Sequence, residues 1–190
     1  MNTPAHIVLN LLCLGRHRST NLVTSIIVGG VLPDAPMFVF YFVEKVIRGS
    51  SEPYIWGQAY YQIHWQNFID IFNSLPIMAF GFLFAFWASS QVGMLLFASM
   101  GLHALGDLPL HHDDGHRHFF PFSNWRFESP VSYWDPNHYG GVVTRLEILA
   151  VLSSCVVLFR HYRSLKGRIA LGILGALYGA YFIYVFTVWT

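Results

Sequence analysis

From Ile169 to Val188 the chain runs for twenty residues without one charged side chain. That is the length an α-helix needs to cross the hydrocarbon core of a bilayer. Only helices and closed barrels satisfy their backbone polar groups in such a medium. Val142 to Phe159 repeats the pattern, interrupted near its start by Arg145 and Glu147. From Leu22 to Val43 the only charge is Asp34. The chain as a whole is 54% hydrophobic and 11% charged, against roughly a quarter charged in a soluble domain. These runs predict an all-α fold, a polytopic membrane helical bundle with the lipid bilayer as its surroundings. A formal net charge of +1 lacks the basic surface that nucleic acid selects, so no nucleic-acid partner is expected.

The organisation follows from the breaks. Residues 4 to 15 read as a short helix, with Thr3 as N-cap and Pro4 in the first turn. Leu32-Pro33-Asp34-Ala35-Pro36 should divide the 22–43 run into two half-helices, a break tolerated at membrane depth where it lines a polar site. Tyr54, Trp56, Tyr60, Tyr61 and Trp65 form an aromatic belt suited to the interface. Leu75–Trp87 and Val92–Gly106 are each short for a span, and read as two short helices or as one long helix starting near Asp70. In the last run, Gly172, Gly175, Gly179 and Ala180 offer a small-residue face for helix packing. Two cysteines, Cys13 and Cys155, make no disulfide framework. No repeat or linker is visible. Residues 1–190 are therefore expected to form a single integral membrane domain, with a metal-site core over about 3–140 and transmembrane helices over 142–159 and 169–188. The basic loop 160–168 belongs in the cytoplasm by the positive-inside rule, which puts the histidine-rich segment on the non-cytoplasmic side. His17 and His161, in basic loops, read as ordinary interfacial residues.

That segment carries the chemistry. Residues 101–118 hold five histidines and three aspartates. His103 and Asp107 are four apart and share a helix face. Pro109 should end the helix and let His111, His112, Asp113 and Asp114 turn back over the same point. Imidazole and carboxylate suit zinc and similar divalent ions, and such an ion lowers the pKa of a bound water to about 7. The expected arrangement is a metal site at the end of the His-x3-Asp helix, with one or more ions and Asp107 placed to bridge two. His6, Asp34, His103, Asp107, His111, His112, Asp113 and His138 are candidate ligands, and Asp34 is a ligand or a supporting carboxylate. Arg117 and Arg126 are candidates to hold a phosphate group of a substrate. The alternative for the aromatic stretch around them is an anchor at the bilayer surface.

His6, Leu32-Pro33-Asp34, His103-x3-Asp107 and the histidine-rich sequel running into Phe120-Pro121-Phe122-Ser123 together resemble the membrane-bound metal-dependent hydrolases of bacterial inner membranes related to the LexA-regulated one. More distantly, the spacing is similar to the zinc-dependent phospholipase C and single-strand nuclease fold. The resemblance covers roughly residues 3 to 140. It implies that His6, Asp34, His103 and Asp107 are ligands, with His112 or Asp113 for a second ion. Where that family carries an HR…THS element, this chain reads His64-Trp65-Gln66-Asn67-Phe68-Ile69-Asp70-Ile71-Phe72-Asn73-Ser74. Asn73 stands where the second histidine belongs, and His64 or Asp70 is the candidate substitute ligand.

The expected function is a zinc-type metal-dependent hydrolase of a small-molecule or lipid ester or phosphoester, with Asp34 or Asp70 as the catalytic group orienting water. The rival readings are a non-catalytic metal-binding membrane protein and a metal transporter or sensor.

Overall fold

The computed structural model describes residues 1–16 and 19–188. His17 lies outside them. Among the described residues the fold is helical throughout, with no strand. The helices are α1 (Thr3–Leu14), α2 (Thr20–Val31), α3 (Ala35–Phe42), the single turn α4 (Glu52–Tyr54), α5 (Ile63–Phe72), α6 (Leu75–Trp87), α7 (Gln91–Asp107), α8 (Gly140–His161) and α9 (Leu165–Val188). Four helical runs are long and apolar enough to cross a membrane: Ile63–Trp87, Gln91–Leu110, Gly140–His161 and Leu165–Val185. The α5–α6 pair counts as one of these. The pair α2 and α3, bent by 52° across the Pro33 break, makes a fifth if taken as one broken span. Much of α6 is bare of protein contacts, with Phe80, Leu83, Phe84 and Trp87 exposed, as a lipid-facing surface would be.

The centre of the molecule is α7, which packs on α1, α2 and α6, while α1 also leans on α8 and α8 on α9. A buried polar knot ties three of these helices. Asn10 of α1 donates to the Ser99 carbonyl and hydroxyl at 2.8 and 2.9 Å, and Ser99 of α7 donates to the Ile26 carbonyl of α2 at 2.6 Å. Gly29 permits this approach: a Cβ there would lie 2.4 Å from the Leu96 carbonyl oxygen. The knot holds His6 on α1 opposite His103 on α7.

Two local expectations change. Helix α1 starts at Thr3 with Asn2 in the capping position. The Thr3 hydroxyl is free of capping duty because it donates to Asp34 Oδ2. Of the glycine face of α9 only Gly175 meets α8, where a Cβ would lie 4.0 Å from Cys155 Cβ; on Gly172 or Gly179 it would meet nothing within 4 Å. The seam is Leu171, Tyr178 and Val185, spaced two turns apart; larger side chains bury more apolar surface against α8.

Candidate metal centre

Each partner reaches the centre by a different local device. The 3.6-residue period puts His103 and Asp107 on one face of α7. The Pro33 break leaves Asp34 just ahead of α3, where Thr3 steadies it. A short 3-10 turn, Leu108–Leu110, carries the chain past the end of α7 and returns His111 towards Asp107.

The geometry is tight. His6 Nε2 lies 3.0 Å from Asp107 Oδ1, and His103 Nε2 lies 3.1 Å from Asp107 Oδ2 and 3.4 Å from Asp34 Oδ1. The rings of His6 and His103 stack at 3.5 Å and 10°. His111 Nε2 is 3.7 Å from Asp107 Oδ1, and the amino group of Met1 pairs with the same oxygen. His6, His103 and Asp107 are all buried, and their ligand atoms lie within 4.8 Å of one another. That group could hold a metal ion.

One atom tests the fit. His103 Nδ1 sits 2.9 Å from the Gly30 carbonyl. A carbonyl only accepts, so Nδ1 carries a proton, and in the neutral ring Nε2 is the lone pair a metal ion would take. That nitrogen is buried and makes no hydrogen bond, yet it faces two carboxylates. Two buried carboxylates facing one ring nitrogen call for positive charge there, which a metal ion on Nε2, or a second proton that makes the ring an imidazolium, supplies. A backbone carbonyl holding the other ring nitrogen is the usual support of a metal-bound histidine. The residues fit a divalent ion.

His111 has a carboxylate beside its other ring nitrogen, without hydrogen-bond geometry. Its Nδ1 is 3.0 Å from Asp114 Oδ1, and Asp114 Oδ2 accepts from Trp134 Nε1 at 3.0 Å. Burial works to lower the His111 pKa, but the Asp107 and Asp114 carboxylates outweigh it and hold the ring up at about 9. For His6 burial wins over Asp107 and pushes the pKa below its ordinary value, which favours the neutral ring a metal requires.

A cavity of about 560 Å³ opens over this centre. Asp34, Asp107, His111, Asp113, Asp114 and His116 form its polar floor, and Trp56, Tyr60, Tyr61, Tyr133 and Trp134 its aromatic wall. Burial pushes the phenols of Tyr60 and Tyr133 upwards, so both stay neutral donors.

The structure thus brings His6, Asp34, His103, Asp107 and His111 together, with Asp113 on the cavity lining but otherwise exposed. Other candidates lie elsewhere. His64 is on the exposed face of α5 beside Trp65. His112 and His138 stack on each other at 3.6 Å, and neither lines the cavity. Asp70 and the two arginines form a cluster of their own. Arg117 Nε pairs with Asp70, its backbone N–H donates to Asp70 Oδ1 at 3.2 Å, and its remaining nitrogens donate to Asn67 and Asn124. Arg126 donates to Gln66 and the Gly115 carbonyl. Asn73 donates to the Pro33 and Ile69 carbonyls, both at 3.1 Å, bracing the Pro33 break from α5. Asp114 and His116 were not singled out as ligands; Asp114 at three residues from His111 was the available signal. No family model matches the chain, and neither characterised proteins nor solved structures give a match.

Proposed function

We propose that this chain is a membrane-embedded, metal-dependent hydrolase of the kind its sequence resembles, acting on an ester or phosphoester. The observation that carries the reading is the group of His6, His103 and Asp107, whose ligand atoms lie within 4.8 Å of one another with His103 Nε2 facing two carboxylates, beneath a cavity large enough for a small-molecule substrate. His6, His103 and Asp107 hold the ion, with Asp34 and His111 beside them. A divalent ion of the zinc type supplies Lewis acidity and an activated water in such a site.

The protein's own groups do the rest. Asp34, steadied by Thr3, lines both the centre and the cavity and is placed to orient a water and accept its proton. His111, beside Asp114, lines the same cavity and would donate a proton to a leaving oxygen there. The aromatic wall excludes water around the reacting bond, which strengthens the electrostatics inside. The cluster at one end of the bundle, rather than a row of ligands along a path through it, favours a reaction site over a conduit. The histidine-rich segment is assigned to the non-cytoplasmic face.

The test is metal content by mass spectrometry on detergent-purified protein, wild type beside His103→Gln and Asp107→Asn. Bound zinc in the wild type that is lost in both variants supports the centre, and hydrolysis of a chromogenic phosphoester or ester by the loaded wild type alone completes the reading. Wild-type protein that retains no divalent metal after zinc exposure and desalting overturns it.

A further inference from the structure

The loop that follows the cavity turns apolar rings outwards and keeps its polar groups inside. Phe119, Phe122, Trp125 and Phe127 are exposed, Phe122 at 83%. Three of the rings are neighbours, with Phe119 and Trp125 centroids 5.8 Å apart and Trp125 and Phe127 centroids 6.1 Å apart. An exposed apolar patch of this kind marks an interaction surface. The cations beside it point the other way. Arg117 is buried against Asp70 and lies over the Phe120 ring at 4.8 Å, and Arg126 reaches back to Gln66 and the Gly115 carbonyl. The loop also satisfies much of its own backbone. The N–H groups of Phe120, Phe122 and Ser123 donate to the carbonyls of Arg117 and Phe119, and that of Trp125 donates to the Ser123 hydroxyl. Pro121 has no N–H to satisfy. Lipid requires such internal pairing, since an unpaired amide there costs several kcal/mol.

The place of the loop in the bundle points to what covers it. The His118 carbonyl accepts from the Leu75 N–H at 2.9 Å, the Phe120 carbonyl accepts from the Ser74 hydroxyl, and His118 Nδ1 lies 3.1 Å from the Asn73 carbonyl. These contacts fix the loop to the α5–α6 junction, inside the run Ile63–Trp87 that is long enough to cross a membrane. Helix α6 has 13 residues and so covers about 20 Å, against a hydrocarbon core of about 30 Å. A loop clamped to its first turn therefore stands at or within the bilayer boundary when α6 lies in the membrane. Leu75 packs on the cluster of Met78, Met100 and Ala104, next to His103, which puts the loop on the side of the metal centre. We propose that residues 119–127 form a lip inserted into the bilayer there, with Phe119, Phe122, Trp125 and Phe127 among the lipids at the interface. Aromatic rings prefer that layer, and the patch adjoins the helix whose Phe80, Leu83, Phe84 and Trp87 are bare of protein contacts. His116, three residues before the lip, lines the cavity, so insertion holds the site near membrane level. The lip does not depend on whether the centre is catalytic.

The experiment puts a nitroxide on Phe122→Cys in a Cys13→Ala/Cys155→Ala background, with the full chain in vesicles of phosphatidylcholine and phosphatidylglycerol. Collision with oxygen, which concentrates in lipid, is compared with collision with a water-soluble nickel chelate. Leu83→Cys, on the bare face of α6, gives the hydrocarbon value, and spin-labelled lipids set the depth scale. The expected label at Phe122→Cys is reached by oxygen in preference to nickel, at about 5–10 Å into the boundary of headgroups and acyl chains, where interfacial apolar faces lie. A label as open to nickel as a free nitroxide in water overturns the proposal. So does a label shielded from both reagents, which would mean that protein, such as a second copy of the chain, covers the rings. A second measurement needs no substitution. A phosphatidylcholine with a photoreactive diazirine in its acyl chain should tag the wild-type tryptic peptide His118–Arg126. A peptide left untagged while α6 is tagged overturns the lip as well.

Discussion

Asp70 and Asp107 are both fully buried carboxylates on helices of the bundle, and they are answered in opposite ways. Asp70 meets a cation of its own chain: the Arg117 guanidinium, whose other nitrogens are in turn taken by Asn67 and Asn124. Arg126 also lies 3.6 Å from Asp70 Oδ2, and His116 Nδ1 lies 3.7 Å from Oδ1 without a hydrogen bond. Asp107 meets imidazoles from α1, from its own helix and from the following turn, and the Met1 amino group pairs with it as well. A buried charge must be compensated. At Asp70 the compensating cation is a guanidinium fixed by two asparagines, whereas at Asp107 it is the Met1 ammonium beside a set of imidazoles that can take up a proton or a metal. An arginine cannot lose its proton or bind a metal, and a histidine can do both.

The largest effects should separate these two carboxylates. Asp107→Asn is expected to abolish metal retention, a loss of more than about 100-fold in affinity since even supporting residues are worth 10–100-fold, and to break the ion pair with Met1 as well. Asp70→Asn is expected to cost stability alone. Removing one partner of a buried ion pair costs about 3–5 kcal/mol, read as a lower thermal midpoint in detergent, with zinc stoichiometry unchanged in the protein that remains folded. If Asp70→Asn instead strips the metal, Asp70 belongs to the centre and the contrast is false.

The contrast was only half visible in the sequence. The pairing of His103 with Asp107 follows from helix spacing, and the break at Pro33 follows from proline chemistry; both are local. The joining of His6 to Asp107 across 101 residues depends on how α1 packs against α7 through Asn10 and Ser99, which no spacing encodes. The cations were harder still. Arg117 and Arg126 next to a histidine cluster read as phosphate holders, but a guanidinium takes the nearest buried carboxylate, and Asp70 lies on α5. The phase of α5 was a usable signal. Gln66, Asp70 and Asn73 recur at helical spacing and face inwards, which sends His64, six residues before Asp70, to another face. His112 and His111 are neighbours in sequence, yet one serves the rim and the other the cavity floor, because an extended residue turns successive side chains in opposite directions.

A smaller effect probes the packing that brings the central ligands together. Gly29→Ala puts a methyl 2.4 Å from the Leu96 carbonyl and 2.8 Å from the Ser99 Cβ, where backbone must move. Overpacking of this kind costs about 1–3 kcal/mol. Because Gly30 next to it holds His103 Nδ1, the same substitution should weaken zinc binding at the centre and leave the Asp70–Arg117 network intact. A destabilised variant with wild-type zinc affinity would show that α2 does not help to orient His103.

The last effect, spread over about two pH units, concerns the Asp70 side of the comparison. His118 is buried, with its ring against His116 at 6.1 Å and its Nδ1 3.1 Å from the Asn73 carbonyl. Burial, reinforced by the nearby His116, pushes its pKa down to about 4. The folded ring therefore stays neutral where the unfolded ring, at about 6.5, takes a proton. Between those values the unfolded chain binds more protons, so stability is whole above about pH 6.5 and falls as the pH drops towards 4, by up to about 1.4 kcal/mol per pH unit. His118→Gln should flatten that part of the stability profile, measured by thermal unfolding from pH 7 to pH 4.5 in metal-free detergent solution. An unchanged slope in His118→Gln would mean that other groups carry the acid sensitivity. A flattened slope would show that the network around Asp70 needs a neutral histidine beside it, while the one around Asp107 uses its histidines as ligands.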